Sequence, residues 1–232
     1  MKKGEAIFGW VYAALHIFLL GWLLAQLNRD IFPILGFSLS DTNLNLLYYA
    51  LGFVLILLCM FHYMKASFGD FWENKLASLT SVLLGYAIYT LAMYTVSLII
   101  TLFTESAVNP NSEAIIAQTK LNPNVMIVIG VLLAPIVEET LFRGVIFGTL
   151  RKSSRFAGYA VSAVLFAVYH LFSYILAGVA YGSFDWILLL YLLQYIPAGI
   201  ILCWCYERSR NIYGSIFLHM VINYISITVT IG

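Results

Sequence analysis

One stretch of this sequence gathers ionisable side chains where they are least expected. It reads Ala134-Pro135-Ile136-Val137-Glu138-Glu139-Thr140-Leu141-Phe142-Arg143-Gly144 and lies inside a long apolar run. Adjacent residues of a helix are about 100° apart, so Glu138 and Glu139 point in different directions. Arg143 follows Glu139 by four residues, the spacing at which an acid and a base meet on one helix face. That pairing neutralises both and leaves Glu138 as the carboxylate without a local counter-charge, hence the candidate for chemistry. Two further apolar runs contribute His170, in Phe166-Ala167-Val168-Tyr169-His170, and the pair His219 and Asn223, which share a helix face.

A carboxylate and an imidazole can together hold and deprotonate a water. A second imidazole and an amide can donate hydrogen bonds to the oxyanion that forms when that water attacks a carbonyl. These groups suffice for amide hydrolysis without a covalent nucleophile, and the chain contains no GxSxG motif and no cysteine beside a histidine at the depth of the cluster. A zinc site is the alternative use, with Glu138, His170 and His219 as three ligands and a water in the fourth place. No HExxH is present to support it. A third reading makes the cluster a structural ion-pair network that holds helices together, as in a binding or scaffold protein. A proton relay needs polar groups at several depths, and these form one layer. His16 has no charged partner in its own run and His62 sits beside Lys65, so both read as structural. Cys59, Cys203 and Cys205 are an odd set without CxxC spacing, and read as small buried hydrophobes.

The elements that must position these groups follow from composition. Of 232 residues, 62% are hydrophobic and 10% charged, with a mean hydropathy of +0.92. Soluble domains average about 45–50% apolar and about 25% charged, so water-soluble, disordered and nucleic-acid-binding classes are excluded. Twelve Lys and Arg against eleven Asp and Glu leave a net charge of +1, too little to steer an acidic partner. About 20 apolar residues cross a membrane, and seven such segments stand out near 6–27, 44–64, 76–104, 124–150, 157–178, 185–206 and 212–231. The first is longer than a signal-peptide core and ends without a cleavage pattern.

Cytoplasmic loops hold most Lys and Arg. With the N-terminus inside, the inner segments contain Lys2, Lys3, Lys65, Lys75, Arg151, Lys152, Arg155, Arg208 and Arg210, and the outer loops only Arg29 and Lys120. The expected fold is therefore an all-α polytopic membrane helix bundle with about seven transmembrane helices, a cytoplasmic N-terminus and an outer C-terminus. The polar stretch 105–122 is the natural boundary between N-terminal helices in 1–123 and a four-helix block in 124–232. No internal repeat is evident, which gives an inverted-repeat transporter no support. At about 1.5 Å per residue, Glu138 and His170 lie roughly 18 and 20 Å from the cytoplasmic ends of their spans, and His219 and Asn223 roughly 10 and 16 Å. The four can converge on one buried site, nearer the cytoplasmic side or the midplane. Pro135 is expected to kink the fourth span, and Gly144 and Gly148 to admit a close helix neighbour.

Glu138-Glu139-x-x-x-Arg143, Phe166-x-x-x-His170 and His219-x-x-x-Asn223, in that order on three helices, resemble the three signature motifs of the CPBP family of intramembrane proteases. This family, also called Abi, includes type 2 CAAX prenyl endopeptidases and bacteriocin-immunity proteins. The run from Tyr206-Glu207-Arg208 through Asn211 to His219 is similar as well, and the resemblance covers roughly 124–226. It implies a glutamate-type endopeptidase in which Glu138 and His170 activate water, His219 and Asn223 stabilise the oxyanion, and Glu139 and Arg143 support them. It implies no cofactor, with zinc as the alternative. The partners it implies are the lipid bilayer and a membrane-associated peptide or protein substrate, with peptide maturation or bacteriocin self-immunity as the setting. CAAX proteases remove three residues from prenylated C-termini; the small size here looks more bacterial, so a non-prenylated substrate in a bacterial cell membrane is expected.

Overall fold

In a computed structural model, which describes residues 1–231, the chain is helical and contains no strand among the described residues. Seven helices are long and apolar enough to cross a membrane: α1 (Lys3–Asp30), α2 (Asp41–Cys59), α4 (Lys75–Thr101), α6 (Pro123–Leu150), α7 (Arg155–Ala180), α8 (Ile187–Ser209) and α9 (Ile212–Ile231). Two shorter helices, α3 (Phe61–Glu73) and α5 (Pro110–Leu121), complete the set. The protein is an integral multi-pass membrane protein. Large apolar side chains remain exposed along the outer faces of the spans, Leu83, Leu91, Val164 and Leu189 among them, which suits helices whose solvent is lipid.

One expectation is corrected. The apolar run 44–64 is not one span: the helix stops at Cys59, Met60 takes φ −122° and ψ 18°, and α3 begins at Phe61. Nothing in the hydropathy marks that break, because Phe61, Tyr63 and Met64 continue the apolar run. The polar stretch 105–122 also carries structure of its own. Asn109 caps α5 by accepting from the Ser112 backbone N–H at 2.9 Å, and Pro110 sits in its first turn, where its missing N–H costs nothing.

The core is built around α6, the most enclosed of the seven spans. Val137, Leu141, Phe142, Val145 and Phe147 are fully buried, and pack with Tyr12 and Ala13 of α1, Ile56 of α2 and Ile216 of α9. Two stretches of α6, Val128–Leu133 and Thr140–Phe147, are wound with wide π-type turns on either side of Ala134–Glu139. The helix therefore runs unbroken through Pro135, with the carboxylates between two regions of loosened winding, a placement frequent at functional sites. At Gly144 an added Cβ would lie 2.9 Å from the Tyr63 ring of α3, so the close neighbour admitted here is α3. At Gly199 of α8 it would lie 2.8 Å from the Ala163 Cα of α7, which lets these two backbones meet.

The start of α9, which carries His219, is held by polar side chains. Asn211 Oδ1 accepts from the Gly214 N–H at 2.9 Å, and Ser67 of α3 accepts from the Ile212 N–H at 2.8 Å. Asn211 also donates to Ser78 of α4 at 2.8 Å. The helix that follows is fixed from its first turn.

Candidate active site

Glu138 and Glu139 diverge as adjacent helical residues must. Glu139 Oε1 accepts from Arg143 Nη1 at 2.8 Å, with both side chains fully buried, and from His219 Nδ1 at 2.9 Å. Arg143 also donates to the Gly199 carbonyl of α8 at 3.2 Å, and its guanidinium lies 4.3 Å from the Phe166 ring centre. These contacts pair the two charges and cross-link α6, α7 and α8, while Glu139 Oε2 and Arg143 Nε are left without a partner within the chain.

Glu138 has different surroundings. Its Oε1 accepts from the Tyr49 hydroxyl of α2 at 2.7 Å, and its Oε2 has no partner within the chain although the residue is buried. His170 Nε2 lies 4.0 Å from that oxygen and His219 Nε2 3.9 Å. Both rings are anchored at the other nitrogen. His170 Nδ1 donates to the Phe166 carbonyl at 2.8 Å, an oxygen that can only accept. His219 Nδ1 donates to the Glu139 carboxylate. Each Nε2 is consequently the atom free for chemistry, and the two meet Glu138 Oε2 across a gap. Tyr195 of α8 stacks on the His170 ring at 4.4 Å and fixes its plane. Asn223 of α9 donates to the Gly130 carbonyl at 2.8 Å, in the first wide-wound stretch of α6. One amide N–H is thereby used and one remains.

The structure thus brings Glu138, His170, His219 and Asn223 together around one space, with Glu139 and Arg143 behind them. It also places there residues that the spacing did not reveal. Tyr49 lies 2.9 Å from the Tyr169 hydroxyl, which is 3.3 Å from Tyr48 and 3.3 Å from His16 Nε2. His16 is buried, stacked on Tyr48 at 4.4 Å, and within 3.2 Å of the Tyr12 hydroxyl. It lacks a charged partner, as its sequence context suggests, yet it ends a chain of hydroxyls that begins at Glu138. No sequence signal separates these tyrosines from others on apolar helices. Among the cysteines, Cys203 and Cys205 are buried, but Cys59 is exposed on the bundle surface, against expectation.

Tetrahedral zinc with bonds of about 2.0–2.1 Å holds its ligand atoms about 3.3 Å apart. The two Nε2 atoms stand 3.9 and 4.0 Å from Glu138 Oε2, and among the described residues no group of three His, Cys, Asp or Glu is gathered at metal-ligand spacing. The donor types suit zinc and their separation does not. A water at about 2.8 Å from each partner fits that separation.

The space is a cavity of about 670 Å³ whose floor is formed by His16, Glu138, Tyr169, His170 and His219. The cavity rises along α1 to Gln26, along α6 to Met126 and along α7 to Tyr181, so it opens towards the end of the bundle opposite the N-terminus. Asn111, Ser112 and Ile115 of α5 line it there. The N-cap and first turn of α5 are fastened to α8 and α7: Asn109 bonds Gln194 and Tyr195, Asn111 donates to Tyr195 at 3.1 Å, and Tyr174 donates to the Pro110 carbonyl at 3.2 Å.

Residues 120–225 match the family model described as type II CAAX prenyl endopeptidase Rce1-like. The Bacillus subtilis protein named "Putative membrane peptidase YdiL" is 31% identical over 114 residues, 49% of this chain and 40% of that protein. The Lactococcus lactis protein named "UPF0177 protein YxdF" is 30% identical over 92 residues, 40% of this chain and 42% of that one. The chain thus spans about two fifths of the length of these relatives, and no solved structure matches it. The matched stretch contains all three motifs, and over residues 120–225 this chain is similar to the Rce1-like, CPBP type of family.

Proposed function

We propose that this protein is an intramembrane endopeptidase that hydrolyses a peptide bond of a membrane-associated peptide or protein with a water held by Glu138 and His170. The observation that carries this reading is the gap between Glu138 Oε2 and the two Nε2 atoms, each ring being anchored through Nδ1. A water in that gap donates one hydrogen to Glu138 Oε2 and one to His170 Nε2, which leaves an oxygen lone pair for attack on a carbonyl carbon. As the C–O bond forms, a proton passes to Glu138. Collapse of the tetrahedral intermediate breaks the C–N bond, and the same proton goes to the departing amine.

The oxyanion needs donors. His219 Nδ1 already donates to Glu139, so Nε2 donates only when the ring is an imidazolium. The second N–H of Asn223 is the other donor. Glu139 and Arg143 orient His219 and touch no substrate. The names of the matched family and of the Bacillus relative point to the same class of activity. Maturation of a peptide, or self-immunity to one, is the setting we assign.

The test is cleavage of a quenched-fluorescent library of membrane peptides by purified protein in detergent, for the native chain and for Glu138→Gln, each with and without a strong zinc chelator. Gln keeps size and hydrogen bonding but takes no proton. Activity that is lost in Glu138→Gln and indifferent to the chelator supports the mechanism. Loss with chelator and rescue by zinc makes Glu138, His170 and His219 ligands. No cleavage by the native chain, with the cellular phenotype kept by Glu138→Gln, replaces the enzyme with a binding or immunity role.

A further inference from the structure

The cavity above Glu138 has a direction. On α1, α7 and α9 its lining residues lie at and beyond His16, Tyr169 and His219, towards the C-terminal ends; on α6 they lie before Glu138, towards the N-terminal end. Since α6 runs antiparallel to the other three, all four lead to one end of the bundle, which carries segments 31–40, 102–122 and 181–186. The other end carries the N-terminus and segments 60–74, 151–154 and 210–211. That closed end holds nine of the basic residues, from Lys2 and Lys3 to Arg208 and Arg210, whereas the open end holds Arg29 and Lys120. Basic loops stay in the cytoplasm.

The lining has a chemical character as well. It contains no Lys, Arg or Asp, and Glu138 is its one carboxylate. Its polar groups above the floor are neutral: Gln26, Asn45, Asn111, Ser112, Asn223 and Ser226. An extended peptide finds amide donors and acceptors for its main chain along these walls, while a charged side chain or a free terminal carboxylate finds no counter-charge and is costly to desolvate. A bond three residues from a C-terminus brings such a carboxylate to within about 10 Å of the floor.

From cavity direction, charge asymmetry and lining together, we propose that the site is entered from the extracytoplasmic side by an uncharged internal segment of an exported or outward-facing membrane peptide. This rests on the protease reading for what happens at the floor, but the side of entry does not depend on it.

Two experiments test the proposal. Ser112→Cys, in the roof, and Lys152→Cys, at the closed end, are each made with Cys59→Ser, the two remaining cysteines being buried. Intact cells are treated with a membrane-impermeant maleimide. Labelling of Ser112→Cys in intact cells, and of Lys152→Cys only after permeabilisation, supports outside entry; the reverse pattern overturns it whether or not the protein cleaves anything. The second experiment takes a peptide cleaved by the purified protein and compares it amidated at its C-terminus, with a free carboxylate three residues after the scissile bond, and with Lys in place of the residue following that bond. The expected result is a fall in kcat/KM of at least tenfold for both charged forms. Equal kcat/KM for the three overturns the substrate class while leaving Glu138-dependent proteolysis in place.

Discussion

Replacing Tyr49 by Phe removes one hydroxyl that donates to Glu138 Oε1 at 2.7 Å and stands 2.9 Å from Tyr169. The carboxylate oxygen it serves is buried and has no other donor close by. A hydrogen bond to a charged group contributes about 1.5–3 kcal/mol, and each 1.36 kcal/mol changes a rate about tenfold. Tyr49→Phe is therefore expected to lower kcat about 10- to 150-fold. KM should change less than kcat, because the hydroxyl removed is engaged with Glu138 and Tyr169 and the ring that lines the cavity is kept. Tyr169→Phe leaves the Glu138 bond in place and removes its support, a neutral hydrogen bond worth about 1 kcal/mol, so about a fivefold loss follows. The double variant should fall short of the product of the two, as expected for groups in one chain of hydrogen bonds. Steady-state kinetics on the quenched peptide gives kcat and KM separately, and thermal melting in detergent checks that the bundle is intact. A folded Tyr49→Phe protein with kcat within twofold of the native chain would refute the argument that α2 sets the orientation of the base.

Arg143→Ala leaves Glu139 ionised and buried without its 2.8 Å partner; loss of one member of such a pair costs about 3–5 kcal/mol, to be seen as a large drop in melting temperature together with lost activity. Asn223→Ala removes an oxyanion donor, and kcat should fall about 10²–10³-fold with KM nearly constant. The same substitution frees the Gly130 carbonyl, so the melting curve must accompany the kinetics; an unchanged kcat in a folded variant removes Asn223 from the oxyanion site.

The parts of this fold that can be read in the sequence are those the bilayer dictates. A span must be apolar and about 20 residues long, so seven of them can be marked, and a carboxylate placed inside one is conspicuous. The i,i+4 spacing of Glu139 and Arg143 is equally readable, because it depends on one helix alone. What depends on how helices rotate against each other is hidden. The pairing of His219 with Glu139 joins residues 80 positions apart, and that of Tyr49 with Glu138 joins residues 89 apart. A tyrosine on an apolar helix has the same local pattern whether it faces a carboxylate or a lipid. The break at Met60 is hidden for another reason: hydropathy is continuous across it, and only the packing of Tyr63 against Gly144 and of Ser67 against the start of α9 shows why the chain turns there.

The contacts of the two adjacent glutamates explain why both are present. One carboxylate cannot fix the histidine and also accept a proton, because the first role needs an oxygen occupied by donors and the second an oxygen left open. The approximately 100° between neighbouring side chains lets one helix turn meet both needs. Glu139 faces the buried Arg143 and takes two donors on Oε1, whereas Glu138 lines the cavity and turns Oε2 towards the two Nε2 atoms. The donor that holds the other oxygen of Glu138 comes from α2, outside residues 120–225 that match the family. Helices α1 and α2 are on this view part of the site, since His16, Tyr48 and Tyr49 supply its second wall. A chain reduced to the matched residues would keep the three motifs, and would lose the hydroxyl that aims the base.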